Sequence, residues 1–211
     1  MTQPFRSNRV LQGILLFLLA IWVVTAIDPL YPRDWLLENL LVFFYAILLA
    51  ATYRRFRFSN TGYALFAVFL GLHLTGAHYT YAETPFGFWL QDWFGFERNH
   101  YDRIVHFAFG LLLAWPIREL LLRRAGTGRG WSGFLAVVCI MASSAAYEII
   151  EMLAAIVVSP ELGAAYLGTQ GDEWDAQKDA AMASAGAVLA MAAAWWWERY
   201  RGSGGVFSGS D

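Results

Sequence analysis

Apolar residues fall in six long runs separated by short polar stretches, at about 10–27, 35–53, 61–81, 104–122, 131–158 and 179–197. Each run is near the ~20 residues that carry a helix across a bilayer. Lipid offers backbone N–H and C=O groups no partner outside their own helix, so such runs fold as spanning helices. The pattern therefore predicts an all-α, polytopic transmembrane bundle of about six spans. The fifth run is long enough to tilt or break. Residues 1–200 read as one membrane domain, with no internal repeat, and the tail "GSGGVFSGSD" reads as disordered.

Composition agrees: 58% of the 211 residues are hydrophobic and only 15% charged, which suits neither an ordinary soluble domain nor a disordered chain. The net charge of −2 conceals a strong polarity. Eleven basic residues (Arg6, Arg9, Arg54, Arg55, Arg57, Arg118, Arg123, Arg124, Arg129, Arg199 and Arg201) fall at one set of span ends, against Arg33, Arg98, Arg103 and Lys178 at the other. By the positive-inside rule both termini are cytoplasmic. Twelve of the seventeen acidic residues lie toward the opposite, outer side. Val24-Thr25-Ala26 has the form of a signal-peptidase site, but the preceding apolar stretch is longer than a usual signal core, which favours an uncleaved anchor. Cys139, alone in an apolar run, reads as a small packing residue.

Two outer loops are larger than the rest. In 82–103, Phe86, Phe88, Trp89, Trp93, Phe94 and Phe96 suit a short segment lying among lipid headgroups, and Trp195, Trp196 and Trp197 form a similar belt at the inner end of the last span. The other loop, 159–178, ends in "GTQGDEWDAQKD", rich in carboxylates just before the sixth run.

An ionisable group in a span costs about 2.5–3.5 kcal/mol at mid-helix, so each needs a partner or a purpose. The third run holds His73 and His78. The fourth opens with Asn99, Asp102, Arg103 and His106, the fifth carries Glu148 and Glu151, and the sixth begins after Asp172, Glu173, Asp175 and Asp179. Helix direction puts all four groups in or beside the outer half of the bilayer. Asp102 and His106 are i, i+4, Glu148 and Glu151 i, i+3, and Asp175 and Asp179 i, i+4, so each pair shares a helix face.

A combined site would use Asp102, His106, Glu148 and Asp175 as catalytic candidates, and Arg98, Asn99, Arg103, Gln170 and Asp172 to bind an anionic substrate. Glu151, Asp179 and His78 are the further candidates for a divalent metal, the one cofactor the residue types suggest. Each piece has a plainer use as well. Carboxylates at 172–179 cap a helix start at about 0.3–1 kcal/mol each; Glu148 and Glu151 could pair with Arg103 or Arg98; His78 could simply be hydrogen-bonded. The chain has no H-E-x-x-H, no G-x-S-x-G and no phosphate-binding glycine loop. Membrane lipids are the expected partners and nucleic acid is not; oligomeric state is not legible.

"RNHYDRIVHFAFG" (98–110), "AAYEIIEMLAA" (145–155) and "LGTQGDEWDAQKDAAMASAGA" (167–187) resemble the YjdF-like family of bacterial inner-membrane proteins, over most of residues 70–190. The resemblance implies an inner-membrane helical bundle and carries over Asp102, Arg103, His106, Glu148, Asp175 and Asp179 as motif positions, without a substrate. More distantly, the order Asp-basic-x-x-His-Phe, acidic helix, then Asp is similar to VanZ-like membrane proteins associated with teicoplanin resistance. There the last Asp is usually followed by Asn at the fourth position and Gly at the seventh; here Gly186 fits and Ala183 departs. Three functions compete: a lipid-directed envelope enzyme or ligand site ranks first, a non-catalytic membrane scaffold or lipid-binding protein second, and a proton- or cation-coupled transporter third.

Overall fold

The computed structural model describes residues 4–158 and 160–201. Eight α-helices account for nearly all of it: α1 (Arg9–Thr25), α2 (Pro32–Thr52), α3 (Asn60–Tyr79), α4 (Pro85–Phe94), α5 (Tyr101–Arg123), α6 (Arg129–Val157), α7 (Pro160–Leu167) and α8 (Asp175–Arg201). Six long ones match the six apolar runs within a few residues, and α6 runs unbroken for 29 residues. By length and apolarity alone, α2, α5, α6 and α8 suffice to cross a membrane. α1 is apolar but has 17 residues. α3, like α5, lies in the interior, with ten buried residues including His73, and a helix walled by protein need not be as apolar as one facing lipid. The predicted tail lies outside the described residues beyond Arg201.

Local sequence sets the boundaries. Asn8 caps α1 by accepting from the Leu11 N–H at 3.0 Å, and Ser59 caps α3 by accepting from Gly62 N at 3.1 Å. Proline opens α2 and α4 at the first helical position, where no donor is lost. Gly95 (φ +67°) ends α4 in the left-handed region that glycine tolerates. α4 is the aromatic segment expected from loop 82–103, and Phe86, Trp89, Trp93 and Phe94 are exposed along it.

The core lies among α3, α5, α6 and α8, around Leu74, Ala114, Ile140, Ala183 and Ala187. α5 and α8 approach most closely. A Cβ placed on Gly110 would stand 1.8 Å from the Ala183 carbonyl oxygen, and one on Gly186 would stand 2.2 Å from that of Phe107. The two backbones touch there, the close approach that small residues permit between membrane helices. Ala183 is wholly buried in this seam. α2 instead packs on α3 and α7, while α6 packs on α5, α7 and α8. The facing sides of α2 and α6 are thus left apart.

We call the end carrying the connections 26–31, 80–100 and 158–174 the acidic end, and the other the basic end. The basic end is tied by Glu119, which accepts from Ser59 N at 2.7 Å and Ser59 Oγ at 2.8 Å and pairs with Arg123. There too Arg118 donates to Glu198 at 2.9 Å.

Candidate functional site

Two separate assemblies occupy the acidic end. The first joins the start of α5 to the loop before α8. Arg98 pairs with Asp175 and approaches Asp172 at 3.5 Å; Arg103 reaches Asp172 at 2.5 Å and Asp175 at 3.1 Å. Lys178 closes the network on Asp172 at 2.7 Å. Gln170 holds the same junction like an added strand: its Oε1 accepts from Asn99 N at 3.0 Å and its Nε2 donates to the Asn99 carbonyl at 2.9 Å. These bonds offset the left-handed backbone of Gln170 at φ +50°. The Asn99 side chain in turn donates to the Thr84 carbonyl at 3.0 Å and accepts from Tyr101 N at 3.0 Å, so that α4, α5 and the 168–174 loop share one latch.

Arg98, Asn99, Arg103, Gln170 and Asp172, read from sequence as substrate-binding, are therefore bound to one another and to Asp175, and none lines the cavity described below. The arginines pair with Asp172 and Asp175, not with Glu148 or Glu151. The hydrogen bonds from Lys178 and then Arg103 hold the Asp172 carboxyl well below the usual carboxylate range. Its stabilising effect is fully present above the ordinary Asp value of about 3.9 and is lost as pH falls below it. Melting temperatures of wild type and Asp172→Asn should thus differ by a constant amount from about pH 7 to 5 and converge below about pH 4. A gap that is already closed at pH 6 would refute this role.

The second assembly lies deeper. His106, on α5, has Nε2 at 3.5 Å from Asp102 Oδ1 and 3.5 Å from Glu148 Oε1. Asp102, His106 and Asp179 each present a ligand-type atom within 4.8 Å of the others. Close contact of α5 with α8 brings Asp179 here, and contact of α5 with α6 brings Glu148. His78 is elsewhere: its Nδ1 is 3.0 Å from the Thr25 carbonyl on α1, to which it donates.

Beside this cluster is a cavity of about 460 Å³ between α2, α3, α5, α6 and α7. Leu37, Leu41, Phe44, Phe109 and Ile150 are among its apolar walls, and Ser143 and Ser144 also line it. At its acidic end stand His73, Tyr81, Asp102, His106, Tyr147, Glu151 and Tyr166. Glu151 thus faces the cavity, whereas Glu148 faces His106. His73 is fixed by Nε2 at 2.9 Å from the Glu38 carbonyl and Nδ1 at 2.5 Å from Tyr81 Oη. A carbonyl can only accept, so Nε2 carries the proton and the tyrosine donates to Nδ1. Tyr147 Oη bridges the gap to α2 by donating to Glu38 at 3.4 Å.

The sequence reading missed Asp34 and Glu38, both almost fully buried on α2. Their i, i+4 spacing is the one used to single out Asp102 and His106. Tyr81, Tyr147 and Tyr166 carried no comparable signal, since tyrosine near a membrane surface usually reads as belt.

Residues 10–200 match the family model described as "Predicted membrane protein (DUF2238)". The chain belongs to this family. It is also 39% identical over 177 residues to "Inner membrane protein YjdF" of Escherichia coli (strain K12), covering 83% of this chain and 84% of that protein. It is accordingly an integral, multi-pass protein of the inner membrane. No solved structure matches. The VanZ-like likeness rests on the sequence motifs alone.

Proposed function

We propose that this chain takes an envelope lipid of the outer leaflet into the cleft between α2 and α6 and presents its polar head to Asp102, His106 and Glu151. The observation that carries the reading is the cavity: one apolar chamber, lined on one side by lipid-type side chains and ended by imidazoles, phenols and carboxylates. Lining residues Leu40, Phe44 and Ile150 are 60%, 57% and 57% exposed, so the chamber opens sideways between the helices. A chamber of this shape suits an amphiphile whose chain enters from the bilayer.

The basic residues at the opposite end support the outer location, by the positive-inside rule. Once a head group is bound, the Asp102–His106 pair is placed for proton transfer, the chemistry an enzyme acting on that lipid requires. The anion-clamping role expected of Arg98 and Arg103 weakens, because their guanidinium groups already serve Asp172 and Asp175. That network, in which each guanidinium is already paired with a carboxylate, favours a scaffold role for its own half of the acidic end.

A photoactivatable, clickable phospholipid in membranes provides the test. Crosslinks should concentrate on α2 and α6, and Leu40→Trp or Ala146→Trp, which fill the chamber, should lower the yield at least about fivefold, while Leu19→Trp on α1 leaves it unchanged. Equal labelling of every lipid-facing helix, insensitive to the filling substitutions, would overturn the reading.

A further inference from the structure

Asp179 is 2% exposed, and its Oδ1 has no hydrogen-bond partner among the described residues. An unsatisfied carboxylate oxygen at such depth is costly. Its nearest ion-pair contact is Arg103 Nε at 3.9 Å, too long for a hydrogen bond. Glu148 Oε1, 3.5 Å from His106, is likewise without a hydrogen bond.

Charge makes the same point. Asp102, Glu148 and Asp179 surround one imidazole, while Arg98 and Arg103, the cations beside them, carry their short contacts to Asp172 and Asp175. We infer that Asp102, His106 and Asp179, with Glu148 closing the set, hold one divalent cation.

Three helices supply these groups, and none comes from the flexible tip of a loop. Ligands on opposite sides of an ion at about 2.1 Å from each lie about 4.2 Å apart. The donor atoms of Asp102, His106 and Asp179, all within 4.8 Å of one another, reach that spacing by small side-chain rotations. Carboxylate oxygens plus one imidazole favour Zn²⁺ or Mn²⁺; Ca²⁺ prefers an all-oxygen shell of six to eight ligands, and the imidazole disfavours it. The ion would sit at the rim of the lipid chamber, since Asp102 and His106 line both.

The full chain, purified in detergent and stripped with a chelator, would be loaded with Zn²⁺ or Mn²⁺, desalted and measured for metal content and melting temperature. About one ion per chain and a rise in melting temperature are expected. His106→Gln and Asp179→Asn should each weaken binding at least tenfold, and Asp92→Asn, on exposed α4, should not. Pulsed EPR of the Mn²⁺-loaded wild type should show coupling to an imidazole nitrogen, a reading that needs no variant to fold. Failure of wild type to retain either ion at micromolar concentration, absence of the nitrogen coupling, or unchanged affinity in both folded variants would each overturn the inference. Lipid capture is measured separately, with chelator present, so one result can fail without the other.

Discussion

Alanine at Gly110 or Gly186 is expected to lower the apparent melting temperature of the detergent-purified protein by about 6–12 °C, and leucine at either to abolish recovery of monodisperse protein. The added Cβ has nowhere to go: the atoms it would meet, at 1.8 Å and 2.2 Å, are backbone carbonyl oxygens that cannot rotate away. α5 and α8 must separate. Overpacking costs about 1–3 kcal/mol where side chains can yield, and a backbone collision belongs at the top of that range. At about 2–4 °C per kcal/mol for a chain of this size, the stated drop follows. Separation would also carry Asp179 away from Asp102 and His106, so metal retention should fall in parallel. Gly13, with nothing within 4 Å of its added Cβ, is the control, and Gly13→Ala should melt like wild type or higher. Equal melting of Gly186→Ala and wild type would mean that the seam is not as tight as described.

The second large effect is at Asp175. Its removal as Asp175→Ala should destabilise the chain by up to about 3–5 kcal/mol, the cost of breaking a buried pair, because Arg98 loses its short carboxylate contact and keeps Asp172 only at 3.5 Å, while Arg103 keeps Asp172 at 2.5 Å. Asp175 side-chain exposure is only 5%, and those of the two arginines are 11% and 16%. Pairing the change with Arg98→Met should recover a substantial part of the loss, since breaking a buried pair is far costlier than replacing both partners. Equilibrium unfolding of the single and double variants measures this. If Asp175→Ala instead folds with wild-type stability but fails in lipid capture, Asp175 belongs with the working residues and not with the latch.

That experiment also separates two kinds of carboxylate in the acidic stretch before the last helix. From sequence alone, Asp172, Asp175 and Asp179 are three similar acids at a helix start. In three dimensions they divide: Asp172 and Asp175 are taken by arginines, and Asp179, one turn deeper, is left to face His106. The division depends on which helix packs against α8, a tertiary fact that helical spacing cannot contain. The helices themselves were legible because lipid restricts the backbone so severely, and the shared depth of Asp102, His106, Glu148 and Asp179 followed from helix direction.

The cavity was not legible. It exists because α2 leans on α3 and α7 and not on α6, and its walls of Leu, Phe and Ile are indistinguishable in sequence from any lipid-facing surface. Glu38 escaped for a related reason. It sits near an interfacial end of α2, where a carboxylate normally reaches water, yet burial by α3 and Tyr147 turns it inward.

On the proposed reading, the sideways opening between α2 and α6 also changes what concentration means for this protein. A ligand entering from the bilayer is counted as a fraction of the lipids around the helix pair, not as molarity in solution. Occupancy should then follow the mole fraction of the lipid in its leaflet and stay the same when the membranes are diluted in buffer. Detergent, by contrast, is itself an amphiphile of the right form and would compete for the chamber. Measurements in micelles would understate affinity in proportion to surface dilution, which makes nanodiscs of defined composition the proper setting for any binding constant.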